Sequence, residues 1–149
     1  MLNKLIKFEI VTPERVVLKE QVSQVSVPTK QGEITVLFGH IPLVAGLIPG
    51  VIEIVKENGN SEIMFVSGGF IEVLKEKIVI LADIAERAEE IDIDRVEEAK
   101  KRAEKIKKDS RHFDKERFAN ISASIAKELA RTKAVKRWKK INTEARIKN

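Results

Sequence analysis

The sequence predicts an α+β protein in two segments: an N-terminal antiparallel β-sandwich, or flattened barrel, followed by a C-terminal antiparallel two-helix hairpin. Before Asp83, short apolar stretches with a period of two residues are separated by turn residues, which is typical of antiparallel strands. All 7 glycines and all 4 prolines lie in that part. After Asp83 neither occurs, and the apolar period changes to about 3.5 residues, as in packed helices. We therefore expect a sandwich domain over residues 1–85 and a helical hairpin over residues 86–149.

Alternating or continuous apolar runs predict the strands, which are expected near residues 6–10, 16–18, 23–27, 33–37, 51–55, 62–66, 70–74 and 78–82. Asn58 and Gly59 give the strongest hairpin signal, because both positions of such a turn tolerate a positive φ. Residues 38–50 differ from the rest, since glycines and prolines alternate there with large aliphatic side chains. The segment has too many breakers for one helix or one strand, so it either folds over the core or forms a surface for a partner.

Two helices are expected after the sandwich. Asp92 is well placed as the N-cap of the first, with Ile91 before it as part of a hydrophobic staple. We expect this helix to span about 18 residues and the second, capped by Asp114, to exceed about 30 residues. The apolar positions of the longer helix continue beyond the reach of the shorter one, at Val135, Trp138 and Ile141. Within the hairpin this distal face has no partner, which predicts either that something else covers it or that this end of the helix frays.

Composition argues against an independent enzyme. The chain has no cysteine or tyrosine and only two histidines, His40 and His112, so it lacks the usual combinations of nucleophile and base. No zinc-protease motif or P-loop occurs, and no metal site is expected. Residues 1–7 lack the apolar core of a signal peptide, and the longest apolar run, 41–52, is shorter than a membrane-spanning helix. These features predict a soluble protein.

Charge is distributed unevenly along the chain. The net charge is +5, but residues 1–83 carry 8 basic and 10 acidic side chains, whereas residues 111–149 carry 12 basic and 4 acidic ones. A basic helix is attracted to any polyanion, which leaves two interpretations open. One is an acidic protein surface as partner, and the other is a nucleic-acid-binding module with a β-sandwich body. Charge alone does not separate them.

Four motifs carry a family resemblance: Gly32-Glu33, Gly-His-Ile-Pro-Leu-Val at 39–44, Ser-Gly-Gly-Phe-Ile-Glu-Val at 67–73, and Ile-Asp-x-x-Arg at 91–95. In this order, and followed by a helical hairpin, they resemble the epsilon subunit family of bacterial F-type ATP synthases over practically the whole chain. The resemblance implies a ten-stranded sandwich and a non-catalytic subunit of the rotating central stalk. It also implies peripheral attachment at the cytoplasmic face of the cell membrane, where contact with the membrane is made only through the complex.

The resemblance further implies contacts between the sandwich and its rotor neighbours, the gamma subunit and the c-ring. The matching positions are Glu33, Phe38, His40, Ile41, Pro42 and Leu43. Thr35 and Phe38 depart from the family, which more often has glycine and proline there. Taken without the resemblance, this loop would only cap the end of the sandwich.

For the hairpin, the resemblance implies a switch between a form folded beside the sandwich and an extended form that reaches the beta and alpha subunits and blocks ATP hydrolysis. Its basic second helix would meet an acidic loop of the beta subunit through Arg131, Lys133, Lys136 and Arg137. No cofactor is required for this role, and no nucleic acid is expected as a partner.

In some family members the folded hairpin also binds ATP as a regulatory ligand. The matching positions are Glu86, Ile91, Asp92, Arg95 and Arg102. Val96 stands where the family usually has alanine. Ser124 and Glu128 stand near positions where family members use arginines, although Arg131 could substitute for one of these after a small shift. An ordinary N-cap and a solvated helix face are the alternative interpretation of the same residues.

Overall fold

The structure is a computed structural model that describes residues 4–109 and 115–148. Nine strands form the N-terminal part: β1 (Ile6–Val11), β2 (Val16–Thr29), β3 (Gly32–Leu37), β4 (Leu43–Leu47), β5 (Gly50–Lys56), β6 (Ser61–Val66), β7 (Gly69–Val73), β8 (Lys77–Leu81) and β9 (Ala85–Arg87). A 3₁₀ turn (Ala88–Glu90) leads into two helices, α1 (Ile93–Asp109) and α2 (Lys115–Ile147). The predicted sandwich followed by two helices is confirmed.

The long strand β2 joins the two layers of the sandwich. Its first half pairs with β1, from Ile6 opposite Val22 to Val11 opposite Val16. Its second half pairs with β3 on one side and β5 on the other. Because β1 also pairs with β8, and the path continues through β7 and β4 back to β2, part of the sheet closes on itself. This closure removes exposed edges from that part and produces the flattened barrel.

Two strands predicted at 16–18 and 23–27 are in fact this one strand. The polar residues between them continue the ladder, since Glu9 of β1 pairs with Lys19 and Phe8 with Glu20. Lys19 also forms an ion pair with Glu9 at 3.4 Å. Because the backbone hydrogen bonds of the ladder do not depend on apolar side chains, the polar residues 19–21 do not end the strand.

The glycine- and proline-rich segment 38–50 contains a strand that the sequence did not predict. Its central part forms β4, which pairs with β7 from Leu43 opposite Val73 to Leu47 opposite Gly69. As predicted, the segment as a whole is neither one helix nor one strand, but five residues between Pro42 and Pro49 suffice to form β4. Leu47 is buried in the core, as expected of a segment that folds over it, whereas Val44 is 69% exposed.

Three further details differ from expectation. β1 and β8 pair in parallel, from Lys7 opposite Lys77 to Val11 opposite Leu81, so the sandwich is not antiparallel throughout. Parallel pairing is available to them because a long connection separates them in sequence. The short strand β9 was not predicted, and the expected domain boundary at residue 85 falls inside it. The described residues contain nine strands, not the ten that the resemblance implies.

Apolar side chains are buried in two clusters. The larger one fills the space between the layers and includes the fully buried Phe8, Ile52 and Ile71. The smaller one lies on the outer face of β5 and β6, where Phe65 and Ile63 pack against α2. This arrangement explains why β6 reads as a continuous apolar run, since it is covered on both faces.

The sandwich covers the distal face of α2. Trp138 and Ile141 pack against the smaller cluster, and Val135 is buried. The apolar face that the hairpin leaves uncovered therefore meets the sheet of its own chain. The lengths of α1 and α2, 17 and 33 residues, agree with expectation. Asp92 caps α1 by accepting hydrogen bonds from the backbone N–H groups of Asp94 and Arg95, at 3.1 and 3.3 Å. The expected cap Asp114 lies outside the described residues.

The close approach of β7 to β8 generates a testable prediction at Gly69. This residue has a φ of 122°, and a Cβ atom would lie 2.0 Å from the carbonyl oxygen of Leu81. We expect Gly69→Ala to lower the free energy of unfolding by about 2–4 kcal/mol, because backbone strain and a backbone clash combine. Urea unfolding followed by circular dichroism measures this loss.

Gly59→Ala is the matched control. Gly59 also has a positive φ, 82°, but a Cβ atom there would meet nothing within 4 Å. Only the conformational strain remains, so a loss of about 1 kcal/mol is expected. Equal losses for the two variants would contradict the role given to the contact with Leu81.

Candidate functional site

A cleft opens where the start of α1, the strand β9 and the middle of α2 meet. Its volume is ≈ 480 Å³. All the residues predicted to bind a nucleotide line it, namely Glu86, Ile91, Asp92, Arg95 and Arg102. Glu128 and Arg131 of α2 line its other side. The structure therefore brings together residues that are up to 45 positions apart in the sequence.

Local structure places the α1 residues on the wall of the cleft. Asp92 ends the extended segment and caps the helix, so Arg95 follows in its first turn. Arg102 lies seven residues later, which corresponds to two turns or about 10 Å along the helix axis. Both arginine side chains lie on one face of α1 and are exposed.

Arg131 is the most constrained side chain of the cleft. Its Nε and Nη2 atoms donate to the two carboxylate oxygens of Glu86, at 2.9 and 3.3 Å, and Nη1 donates to Glu128 at 2.7 Å. The guanidinium also lies over the ring of Phe65, 4.5 Å from its centre. Burial disfavours the charge, but the two carboxylates outweigh it and raise the pKa of Arg131 above its usual value. This contact fastens α2 to β9 and β6.

The charge balance of the cleft is negative. Among the described residues that line it, three are arginines and five are carboxylates: Glu86, Glu90, Asp92, Glu98 and Glu128. One of the three guanidiniums is already engaged by two of the carboxylates. An anion entering the cleft would therefore rely first on Arg95 and Arg102.

A second ion-pair group fastens α2 further along. Arg137 forms a hydrogen-bonded ion pair with Glu53 of β5, and its Nη1 lies 3.9 Å from Glu33 of β3. Of the cations predicted to contact a partner, Arg131 and Arg137 thus face carboxylates of the sandwich, whereas Lys133 and Lys136 are exposed. These two lysines line a groove of ≈ 1020 Å³ between α2 and the β4–β5 connection.

The predicted interface loop lies at one end of the sandwich. Ile41 is 74% exposed and Pro42 is exposed, whereas Leu43 and Phe38 pack partly against the core. His40 shares a hydrogen bond of 2.7 Å between its Nδ1 and the carbonyl oxygen of Ile41, so its ring braces the loop. The loop therefore presents aliphatic groups on a braced backbone.

Sequence reasoning missed a row of apolar side chains on the outer face of the barrel. Register places Phe70 beside Leu81, Leu81 beside Val11, and Val11 beside Val16. Paired residues point to the same side of a sheet, and Phe70, Leu81 and Val16 are all exposed. In the sequence, these residues are apolar although they occupy outward positions of the alternating pattern. That they form a row follows only from the register of the strands.

The part of the chain that the structure describes has neither a metal site nor a membrane-spanning helix. No group of three or more histidine, cysteine or acidic side chains there could hold a metal ion. No helix among those residues is both long and apolar enough to cross a membrane.

Comparison with known proteins places these features in a family. The model of the ATP synthase delta/epsilon chain β-sandwich domain matches residues 5–88. The ATP synthase epsilon chain of Nitratidesulfovibrio vulgaris is 44% identical over 130 residues, which cover 87% of this chain and 95% of the relative. That of Dichelobacter nodosus is 45% identical over 112 residues, covering 74% of this chain and 78% of the relative.

Solved structures agree with this result. A chain of the Euglena gracilis mitochondrial ATP synthase, solved with F1 and the c-ring, superposes with a TM-score of 0.78 at 25% identity and covers 89% of this chain and 82% of its own length. A chain from the central stalk and c-ring of the Tetrahymena thermophila enzyme, 16% identical, shares the fold with a TM-score of 0.55 over 87% of this chain and 96% of its own. The family-model match and the identity to curated relatives together show that the chain belongs to the ATP synthase delta/epsilon family.

Proposed function

We propose that this chain is a non-catalytic central-stalk subunit of an F-type ATP synthase, where it couples ion flow through the c-ring to ATP synthesis. The observation that carries the proposal is similarity to ATP synthase epsilon chains across 87% of the chain, which includes both the sandwich and part of the hairpin. The Euglena gracilis relative was solved in an assembly with F1 and the c-ring, which supports the same surroundings for this chain.

The exposed loop around Ile41 and Pro42, here called the apolar rim, supports contact with rotor neighbours. Exposed aliphatic side chains on a braced loop, such as Ile41, gain free energy when another subunit covers them. The row that contains Phe70 and Leu81 offers a second apolar surface to the gamma subunit. Glu33, near the start of β3, would face the c-ring. In this proposal the chain stays at the cytoplasmic face of the membrane and is held there only by the complex.

The ion pairs of α2 support a switch that restrains ATP hydrolysis. In the docked hairpin Arg131 and Arg137 are paired with Glu86 and Glu53 of the sandwich. The same two arginines, with Lys133 and Lys136, are the groups proposed to contact an acidic surface of the beta subunit, with alpha nearby. Because α2 cannot lie on the sandwich and reach the beta subunit at the same time, docking and inhibition exclude each other.

The cleft supports ATP as a regulatory ligand of the docked hairpin. Its ≈ 480 Å³ falls within the range of about 300–1000 Å³ that small-molecule sites occupy. Arg95 and Arg102 would hold the phosphates, and Ile91 and Val96 provide apolar surface for a base. Such a ligand would stabilise docking, because it would bridge α1 and α2.

The exposed rim generates the first test. We expect Ile41→Asp to weaken binding of the purified chain to a gamma subunit and c-ring complex by about tenfold, because the rim would bury a charge, while leaving the unfolding midpoint unchanged. Ile147→Asp is the control, since Ile147 is 79% exposed at the end of α2. Binding is measured by biolayer interferometry. Equal affinities for Ile41→Asp and the control would argue against contact through this loop.

The paired arginines generate the second test. The double variant Glu53→Gln, Glu86→Gln removes the two sandwich carboxylates that hydrogen-bond to these arginines but keeps the cations of α2. We expect a shift of about tenfold away from the docked hairpin, and therefore slower ATP hydrolysis by the assembled complex. Glu72→Gln, an exposed sandwich carboxylate, serves as control. Unchanged or faster hydrolysis in the double variant would refute competition between docking and inhibition.

Deleting the chain after residue 111 is the complementary test. Without α2 no inhibitory cation can reach the catalytic subunits, so the assembled complex should hydrolyse ATP faster than the complex with the full chain. A coupled assay of steady-state hydrolysis measures this difference. If the two complexes hydrolyse ATP at the same rate, the hairpin has no inhibitory role.

A further inference from the structure

We propose that Glu128 acts as an internal anion of the cleft. Its carboxylate accepts the hydrogen bond from Arg131 that an anionic ligand would otherwise accept, so a polyphosphate binds fully only when Glu128 is displaced. The inference rests on the proposed binding of a nucleotide and adds the residue that opposes it.

Arg131 is held by hydrogen bonds on two sides and by an aromatic ring. Three of its five N–H donors are used, two by Glu86 and one by Glu128. Its flat face lies against Phe65. The Glu128 and Arg131 side chains are only 13% and 16% exposed, so water weakens their ion pair less than it would at the surface.

The two carboxylates have different roles because they belong to different elements. Glu86 lies on β9, so its contact with Arg131 joins the sandwich to α2. Glu128 lies on α2 itself, three residues before Arg131, so its contact joins no two elements. Removing the Glu128 carboxylate should therefore free a guanidinium edge without releasing the hairpin.

Carboxylate and phosphate compete for the same donors. Arginine binds both through charge-assisted hydrogen bonds, and Glu128 competes from one helical turn away without the entropy cost of association. The five carboxylates around the cleft add repulsion against a polyanion. Neutralising Glu128 relieves both effects, whereas neutralising Glu98, which lines the same cleft, relieves only the repulsion.

Calorimetric titration of the full chain with inorganic tripolyphosphate, and separately with ATP, tests this inference. We expect Glu128→Gln to bind tripolyphosphate about tenfold more tightly than the unsubstituted chain, since a neutral amide is a weaker partner for a guanidinium than a carboxylate. Glu128→Ala, which removes the acceptor altogether, should gain at least as much. The control Glu98→Gln should gain about twofold at most, as a screened surface charge does. The emission of Trp138 at the α2 interface should stay unchanged in all three variants.

The outcomes separate this inference from the proposed ATP site. Tighter binding of tripolyphosphate by Glu128→Gln but no binding of ATP would support the internal anion and refute the nucleotide. Equal ATP affinity for the unsubstituted chain and Glu128→Gln would support the nucleotide site and overturn the role of Glu128. Equal gains for Glu128→Gln and Glu98→Gln would also overturn it, since charge alone would then account for the effect. Absence of binding by every variant would overturn both.

Discussion

The packing of α2 on the outer face of β5 and β6 determines both how the chain is arranged and what it can do. Ala130 and Ala134 are small and buried, so the helix approaches the sheet closely enough for Phe65 to fill the contact. Arg131 then lies over the Phe65 ring and reaches Glu86, while Arg137 reaches Glu53. Apolar burial holds α2 against the sheet, and the ion pairs of the two arginines determine which part of α2 lies opposite β5 and β9. The cleft exists only because this contact holds α2 beside α1 and β9.

The same contact makes the hairpin depend on the sandwich, but not the sandwich on the hairpin. The sandwich has its own core between the layers, so it does not need the helices to bury Phe8 or Ile52. The hairpin, by contrast, covers its long apolar face with the sheet, and its cations with carboxylates of the sheet. The sandwich therefore holds α2 through one apolar face and two paired arginines. The rim around Ile41 and the row around Phe70 lie elsewhere and are exposed while the hairpin is docked.

Much of this fold could be predicted from the sequence, because period-two and helical patterns reflect burial directly. The cap at Asp92, the two helix lengths and most strands follow from such local rules. Pairing could not be predicted, since the parallel β1–β8 contact and the continuity of β2 through Lys19 depend on partners distant in sequence. β4 was missed because its five residues lie between breakers that usually mark loops. For the cleft, the resemblance supplied the matching residues, but the contact of Arg131 with Glu86 forms only through the docking of α2.

Docking of α2 on the sandwich is tested most directly by acrylamide quenching of Trp138, the only tryptophan of the chain. The side chain packs against the buried cluster between α2 and the sheet. For the free chain in native buffer, a quenching constant several times smaller than that of the same chain in concentrated urea is predicted, because the indole is shielded on one side. Equal quenching under the two conditions would mean that α2 does not lie on the sheet, and would contradict the docked hairpin and the cleft it forms.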